Sequence, residues 1–476
     1  MTLALPADAI AISRCAEGAA LADAGDHDGA LACYAEAVAL APAMLELHLI
    51  LANAQLLLGR ILDTRATLRT ALRIAVRPDA ATEFALGKAL VDAGAGADAV
   101  PCFERARVTF PHDGAVVAAL AAALRDAQRP DDAWTTIQAA LRLAPADPVA
   151  LLTAAMIRHD LSDFGGALHW CEASLRVRPE APGALQTRAY LRFLTGNETA
   201  GWQDFEARPL PQCGTPARDW QGEPLDGSSI LVMGEQGVGD QFQFLRFVKH
   251  PEVQAAAQVV VSCQPDAVSL LRAAGFDAIS RESQTETDWS VPLLSLPHRL
   301  GLCIGKCSDA GPYLRPAAIN SRRPSAVRRV GIVWAGNPAH RNDAARSIPS
   351  ALMHRMISLH PDLQIVCMQH GVAHDELPSN VYEFPVSGDW LATANELCTL
   401  DLLISVDTGI AHLAGALGVP VWLLVPHVPD WRWGASGEQT PWYITMRLFR
   451  QTSRGDWPDV LARVGQELHR LASHHA

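Results

Sequence analysis

The sequence is short of charge, and what it has is mostly negative. Of its 476 residues 19% are charged, and 39 Lys and Arg stand against 51 Asp and Glu for a net charge of −12. A nucleic-acid-binding surface needs a basic face, so no nucleic-acid partner is expected. The one short basic cluster, Arg322-Arg323 with Arg328-Arg329, is accounted for by solvated linker charge. Apolar runs are too short to cross a bilayer, so no membrane span is expected. The opening MTLALPADAIAIS has neither the positive region nor the cleavage site of a secretory signal. Ten cysteines are scattered, with Cys303 and Cys307 the one close pair. Lacking a second pair or a histidine at ligand spacing, they read as reduced thiols of a cytoplasmic protein with no metal site. What remains is 49% apolar, enough for two or three globular domains.

The first part of the chain repeats. Pro111, Pro145 and Pro179 are spaced by 34 residues, as are Ala99, Ala133 and Ala167, and Phe103, Ile137 and Cys171. Leu90 and Leu124 keep the same phase, and Gly18, Leu21, Gly25, Ala30, Tyr34, Ala37 and Pro42 fit a first copy. A looser second copy keeps Gly59, Leu68 and Ala71 while its proline slips to Pro78. This pattern resembles the tetratricopeptide repeat, two antiparallel helices with small residues where they cross and a proline closing the second. Five copies span about 11–181, and a degenerate sixth runs through Ala189, Gly196, Gly201 and Phe205. Such hairpins stack into a solenoid with a concave groove, which can dock a polypeptide or serve as a self-association surface or spacer.

Prolines and glycines from Pro209 to Pro224 break the helical periodicity. The organisation expected is a repeat superhelix at 1–208, a linker at 209–228, and two Rossmann-like α/β lobes at 229–320 and 327–476, separated by a Pro-, Ser- and Arg-rich stretch at 316–326. Strands are expected at 230–233, 258–262, 291–296, 329–334 and 363–368, with helices at 241–249, 266–274, 350–359 and 392–400. The clearest unit is LDLLISVDTGIAHLAGALGVPVWLLVP at 400–426. There an apolar strand meets Asp407-Thr408-Gly409, a helix follows and stops at Gly418, and a second strand begins at Val421. A helix opening at that turn aims free N–H groups and its positive end outward, suiting a phosphate or diphosphate. A capped core helix without a ligand fits the spacing equally well.

Residues able to carry chemistry fall on the strand-end turns, where α/β folds bind ligands. In the first lobe the turn is Gly237-x-Gly239-Asp240. It is not the dinucleotide fingerprint. Asp240 fits a general base for a hydroxyl, or a carboxylate offsetting the helix dipole, and spacing by itself favours the second. In the second lobe Trp334-Ala335-Gly336-Asn337-Pro338 ends a strand, and Arg341 and Arg346 offer phosphate-binding forks from the loop that follows. Gln369 ends another strand. His412 lies one turn into the helix after Gly409 and reads equally as a ligand contact or a satisfied core histidine.

Five ordered motifs turn these residues into a family resemblance: GEQGVGDQFQFLRF at 234–247, GIVWAGNPAHRNDAARSIP at 331–349, the 400–426 unit, PDWRWGASGEQTPWYITMRLFRQ at 429–451 and GDWPDVLARV at 455–464. From about Gly201 onward the chain resembles bacterial tetratricopeptide-repeat glycosyltransferases. Their catalytic half is similar to the ADP-heptose lipopolysaccharide heptosyltransferases and more distantly to the O-GlcNAc transferases. The resemblance implies α + α/β architecture, a tetratricopeptide-repeat solenoid followed by a GT-B module, with a nucleotide-diphosphate sugar as donor substrate and no metal or other cofactor. It implies that Asp240 deprotonates the acceptor hydroxyl, and that Arg346, where heptosyltransferases have lysine, lies near the donor phosphates. Asp407, Thr408, Gly409 and His412 are then at the diphosphate, with Trp334, Asn337 and Gln369 on the donor side. Gln241-Phe242 departs from the threonine and smaller apolar residue of many relatives. The acceptor implied is a polypeptide held by the repeats; a glycan acceptor with repeats used for assembly, or an inactive adaptor, are the alternatives.

Overall fold

A computed structural model describes residues 7–75, 78–303, 311–316, 328–340, 342–371, 377, 381–384 and 388–473. Arg341, Cys307 and all but the first residue of the 316–326 linker lie outside the described residues. The chain divides into two compact units, Met1–Glu180 with Pro338–Arg341, and Ala181–Asn337 with Asn342–Ala476. None of the described helices is long and apolar enough to cross a membrane, and the nine described cysteines are free thiols.

The first unit is built of antiparallel helix pairs, beginning with Ala7–Asp23 and His27–Leu40 and ending with Pro148–Asp160 and Phe164–Val177. The phased positions are the packing positions. Ala99, Ala133, Ala167, Ile137 and Cys171 are fully buried. Gly18 and Gly87 sit where helices touch, since a Cβ on either would stand 2.8–2.9 Å from the rings of Tyr34 and Phe103. Asp79, Asp113 and Asp147, again 34 apart, cap the first helix of successive pairs by accepting N–H groups of its opening turn. The turn inside each pair needs one left-handed residue. Glycine supplies it at 25, 59, 94 and 196, whereas Gln128 and Ser162 take φ of 60° and 61°.

The second unit begins with a further pair, Pro182–Leu194 and Glu198–Phe205, and continues into two sheets. The first has strands β1 (Arg218–Asp219), β2 (Ser229–Met233), β3 (Gln258–Cys263), β4 (Asp277–Ser280) and β5 (Trp289–Pro292), in the order β1-β5-β2-β3-β4. The second has β6 (Arg329–Val333), β7 (Gln364–Cys367), β8 (Val381–Glu383), β9 (Leu402–Val406), β10 (Val421–Val425) and β11 (Met446–Arg450), in the order β11-β10-β9-β6-β7-β8. Every pairing between these strands is parallel. The 400–426 unit folds as its pattern dictates: β9 is buried along its whole length, Thr408 caps the helix Gly409–Leu417, and Gly418 closes it at φ 81°.

Three expectations are revised. The break between units falls after Glu180 rather than at 208, because Phe193, Trp202 and Phe205 of the last helix pair belong to the α/β core. Residues 209–228 are more than a linker: β1 pairs with β5, and Trp220 and Leu225 are buried. The run 291–296 is strand only to Pro292, after which the chain turns helical.

Candidate functional site

The two strand-end turns meet. The helix Val238–Val248 follows β2 and the helix Gly409–Leu417 follows β9, and their first residues touch. A Cβ on Gly239 would stand 3.0 Å from His412 Cδ2 and 3.1 Å from Gly409 Cα. One on Gly409 would stand 3.1 Å from Val238 Cγ1. Two helix N-termini brought this close put like partial charges together, and acids at both turns offset them. Asp240 Oδ2 accepts the Gly237 N–H at 3.0 Å, capping its own helix, while Asp407 stands just before the second.

Asp407 is turned inward. Its Oδ2 accepts the Trp433 indole N–H at 2.9 Å, and its Oδ1 lies 3.4 Å from His412 Nε2. Burial opposes the charge, but the hydrogen bonds from His412 and Trp433 and the nearby Arg432 outweigh it and hold the carboxyl well below the usual carboxylate range. His412 is almost fully buried and stacks on Trp433, and its Nδ1 is 2.9 Å from the Tyr443 hydroxyl. Burial pushes the Tyr443 phenol well above its ordinary value, so the hydroxyl keeps its proton, and both ring nitrogens of His412 have a polar neighbour inside the fold. His412 is therefore the satisfied core histidine. Thr408 Oγ1 accepts the Ala411 N–H at 3.4 Å and lies 3.1 Å from Ser405 Oγ.

Arg346 lies against the same turn. Its Nη1 donates to the Asp407 carbonyl at 3.0 Å, its Nε to Asp343 at 3.4 Å, and its guanidinium fills the space a side chain on Gly336 would need. Gln369 Oε1 accepts the N–H groups of Trp334 and Ala335 at 3.0 and 2.8 Å, pinning the end of β6. The Trp334 ring is buried in the core beside His354 instead of lining a donor wall. Asn337 is exposed beyond β6.

The residues that join the two turns, Arg432 and Trp433, were not among the sequence candidates. Arg432 donates to Gln243 at 2.8 Å, to Asp430 at 3.0 Å and to Asp240 Oδ1 at 2.5 Å. Burial works against its charge, and Asp430, Asp240 and Asp407 together restore it. Trp431, Arg432 and Trp433 form one short helical turn whose side chains diverge. Trp431 packs among Tyr190, Phe193, Trp202 and Phe205, Arg432 holds Asp240, and Trp433 holds Asp407. Arg450 fixes the loop from behind, donating to the carbonyls of Trp433, Gly434, Ser436 and Gly437. The only sequence signal was the 429–451 motif itself, and local spacing assigns its residues no partners.

Residues 15–79 and 84–148 match the tetratricopeptide-repeat family model. The helix pairs of the N-terminal region are tetratricopeptide repeats. Protein FlbA of Caulobacter vibrioides is 24% identical over 338 residues, covering 58% of this chain, and the chain spans about half (53%) of that relative's length. Among solved structures, the tetratricopeptide-repeat protein YrrB is 19% identical over 37% of this chain and 90% of its own, with a TM-score of 0.30. A tetratricopeptide-repeat protein of Parabacteroides merdae is 14% identical over 42% and 81%, with a TM-score of 0.34. MamA of Desulfovibrio magneticus is 15% identical over 36% and 95%, with a TM-score of 0.30.

Proposed function

We propose that the α/β unit is a GT-B-type glycosyltransferase that moves a sugar from a nucleotide-diphosphate donor to a hydroxyl, and that the tetratricopeptide repeats present the polypeptide bearing that hydroxyl. The reading rests on one observation: the Asp240 turn and the Asp407-Thr408-Gly409 turn, from strand ends of two different parallel sheets, come together at Gly239 and Gly409. In the proposed reaction Asp240 takes the acceptor proton as the acceptor oxygen bonds the anomeric carbon from the face opposite the leaving group. The sugar–diphosphate bond breaks with inversion. The amides that open the helix Gly409–Leu417 and the Arg346 guanidinium stabilise the departing diphosphate, each well-placed donor contributing roughly 3–4 kcal/mol to the transition state.

The deciding experiment pairs calorimetric titration of UDP, GDP, ADP and CDP with intact-mass analysis of proteins from cells with and without this chain. One nucleotide should bind, and sugar-sized mass additions should depend on the chain. Asp240→Asn should abolish the additions and leave nucleotide binding within about threefold, as expected for a group acting only in the transition state. Weakened nucleotide binding with normal transfer would contradict the role given to Asp240.

A second reading, a repeat scaffold with an inert α/β body, is favoured by the closeness of Gly239 to Gly409 and by the inward engagement of Asp407 and His412. It predicts that none of the four nucleotides binds.

A further inference from the structure

The first sheet carries a cavity of about 400 Å³ at the C-terminal ends of β2 and β3, within the size range of small-ligand sites. Its lining includes apolar Pro211 and Met233 and polar Cys213, Ser262, Ser283 and Arg281. Gly234 also lines it, and a Cβ there would stand 2.4 Å from the Ser262 carbonyl oxygen and 3.1 Å from Gln241 Oε1. Gln236, held in the left-handed region at φ 56°, completes the wall. It is bonded to Gly237, whose N–H binds Asp240. The cavity thus lies one residue from the turn that holds the proposed base.

Its polar groups are unequally occupied. Glu235, the acid on the wall, is already neutralised by two hydrogen bonds from Arg208 and accepts the Leu294 N–H as well. Arg281 is exposed, and no hydrogen bond or ion pair holds its guanidinium among the described residues. Against Gly234, Gln241 is only 2% exposed, yet among the described residues neither its carbonyl nor its amide nitrogen has a partner. Around Cys213, burial raises the thiol, but hydrogen bonds at Thr215, Ser290 and Ala217 prevail and bring it below its ordinary value. The surroundings favour negative charge. A free guanidinium on a donor-rich wall, with the local acid spent, suits a carboxylate.

We propose that this cavity is the acceptor site and that it selects a polypeptide segment carrying a carboxylate beside the hydroxyl to be modified, with Arg281 taking the carboxylate. The assignment rests on the glycosyl-transfer reading for its acceptor role. The chain's net charge of −12 does not oppose it, because at physiological salt charges are screened beyond about 8 Å and the nearest cation dominates.

The test titrates the full chain with two synthetic peptides, one with the sequence Ala-Ala-Ser-Asp-Ala-Ala and one with asparagine in place of aspartate, at low and high salt. The aspartate peptide should bind about tenfold tighter at low salt, as a charge-assisted contact provides. That preference should shrink with salt, vanish in Arg281→Gln and persist in part in Arg281→Lys. Binding of neither peptide, equal binding of both, or a preference that survives in Arg281→Gln overturns the proposal. Arg281-dependent binding of glucuronate without binding of either peptide overturns the polypeptide assignment in favour of a glycan. Titration of the four nucleoside diphosphates into wild type and Arg281→Gln separates the two readings. Peptide preference without nucleotide binding leaves an acidic-peptide site and refutes glycosyl transfer, whereas nucleotide binding without peptide preference refutes the site and leaves transfer intact. Arg281→Gln should melt with the wild type, since the side chain has no partner to lose among the described residues.

Discussion

At the scale of single residues, the site is governed by two glycines and one buried acid. A Cβ would be crowded at both glycines: at Gly239 by the His412 ring (3.0 Å) and Gly409 Cα (3.1 Å), at Gly409 by the side chains of Val238 (3.1 Å) and Trp390 (3.3 Å). Gly239→Ala and Gly409→Ala should each destabilise by about 1–3 kcal/mol, the usual cost of overpacking. Gly237→Ala, at an ordinary φ of −79°, should cost less; urea titration of all three checks this. Asp407 is a pH marker. Its folded value is depressed, so its contribution is present above its unfolded value of about 3.9 and is lost as pH falls through the folded value. Asp407→Asn should therefore cost about 1.5–3 kcal/mol at neutral pH, the range for hydrogen bonds to a charged group. The gap to the wild type should narrow only below about pH 4, as urea midpoints measured across pH would show.

At the scale of elements, the repeats and the strand–turn–helix units were legible because their information is local. The 34-residue phase marks the buried face of each helix, and the apolar run of β9 followed by a hydroxyl cap and a left-handed glycine fixes one unit completely. The left-handed turn inside each helix pair was legible only where glycine occupies it. Gln128 and Ser162 hold the same conformation with a Cβ, so Gln128→Gly and Ser162→Gly should be neutral or stabilising by up to about 1 kcal/mol, strain relief being offset by unfolded-chain entropy. Thermal melts of the two variants would show it. β4, β8 and β11 were missed as strands, since each is short or interleaved with polar residues and is a strand by virtue of its neighbour. The fully buried Arg208 side chain and Glu235 tie the last repeat-like helix to the end of β2. Arg208→Met alone should cost about 3–5 kcal/mol by leaving Glu235 buried and unpaired, and Arg208→Met with Glu235→Leu should recover much of it.

At the scale of the molecule, the boundary between units is set by packing rather than by the repeat. The Pro182–Leu194 and Glu198–Phe205 pair has repeat spacing, but its aromatic residues surround Trp431 and share the α/β core. A chain beginning at Ala181 should fold with a cooperative melt. One beginning at 209 should not, having lost Phe193, Trp202 and Phe205 from that core, each large-to-nothing deletion costing about 3–5 kcal/mol. Calorimetry of the two truncations distinguishes the boundary at 180 from one at 208. The Trp431–Trp433 turn is the corresponding joint within the unit: three consecutive side chains reach the helix pair, the first sheet's helix and the second sheet's turn.

The sequence alone determined the repeat, the alternation of strand and helix, and which turns carry an acid beside a glycine, because each depends on residues within a few positions of one another. Only the tertiary structure decided that His412 is satisfied internally, that Trp334 is core, that Gln369 is committed to β6, and that Arg432 sits on Asp240. Those outcomes depend on groups that meet across as many as 192 residues of chain. A buried polar atom must find its partner wherever the fold brings one, and no local pattern records that choice.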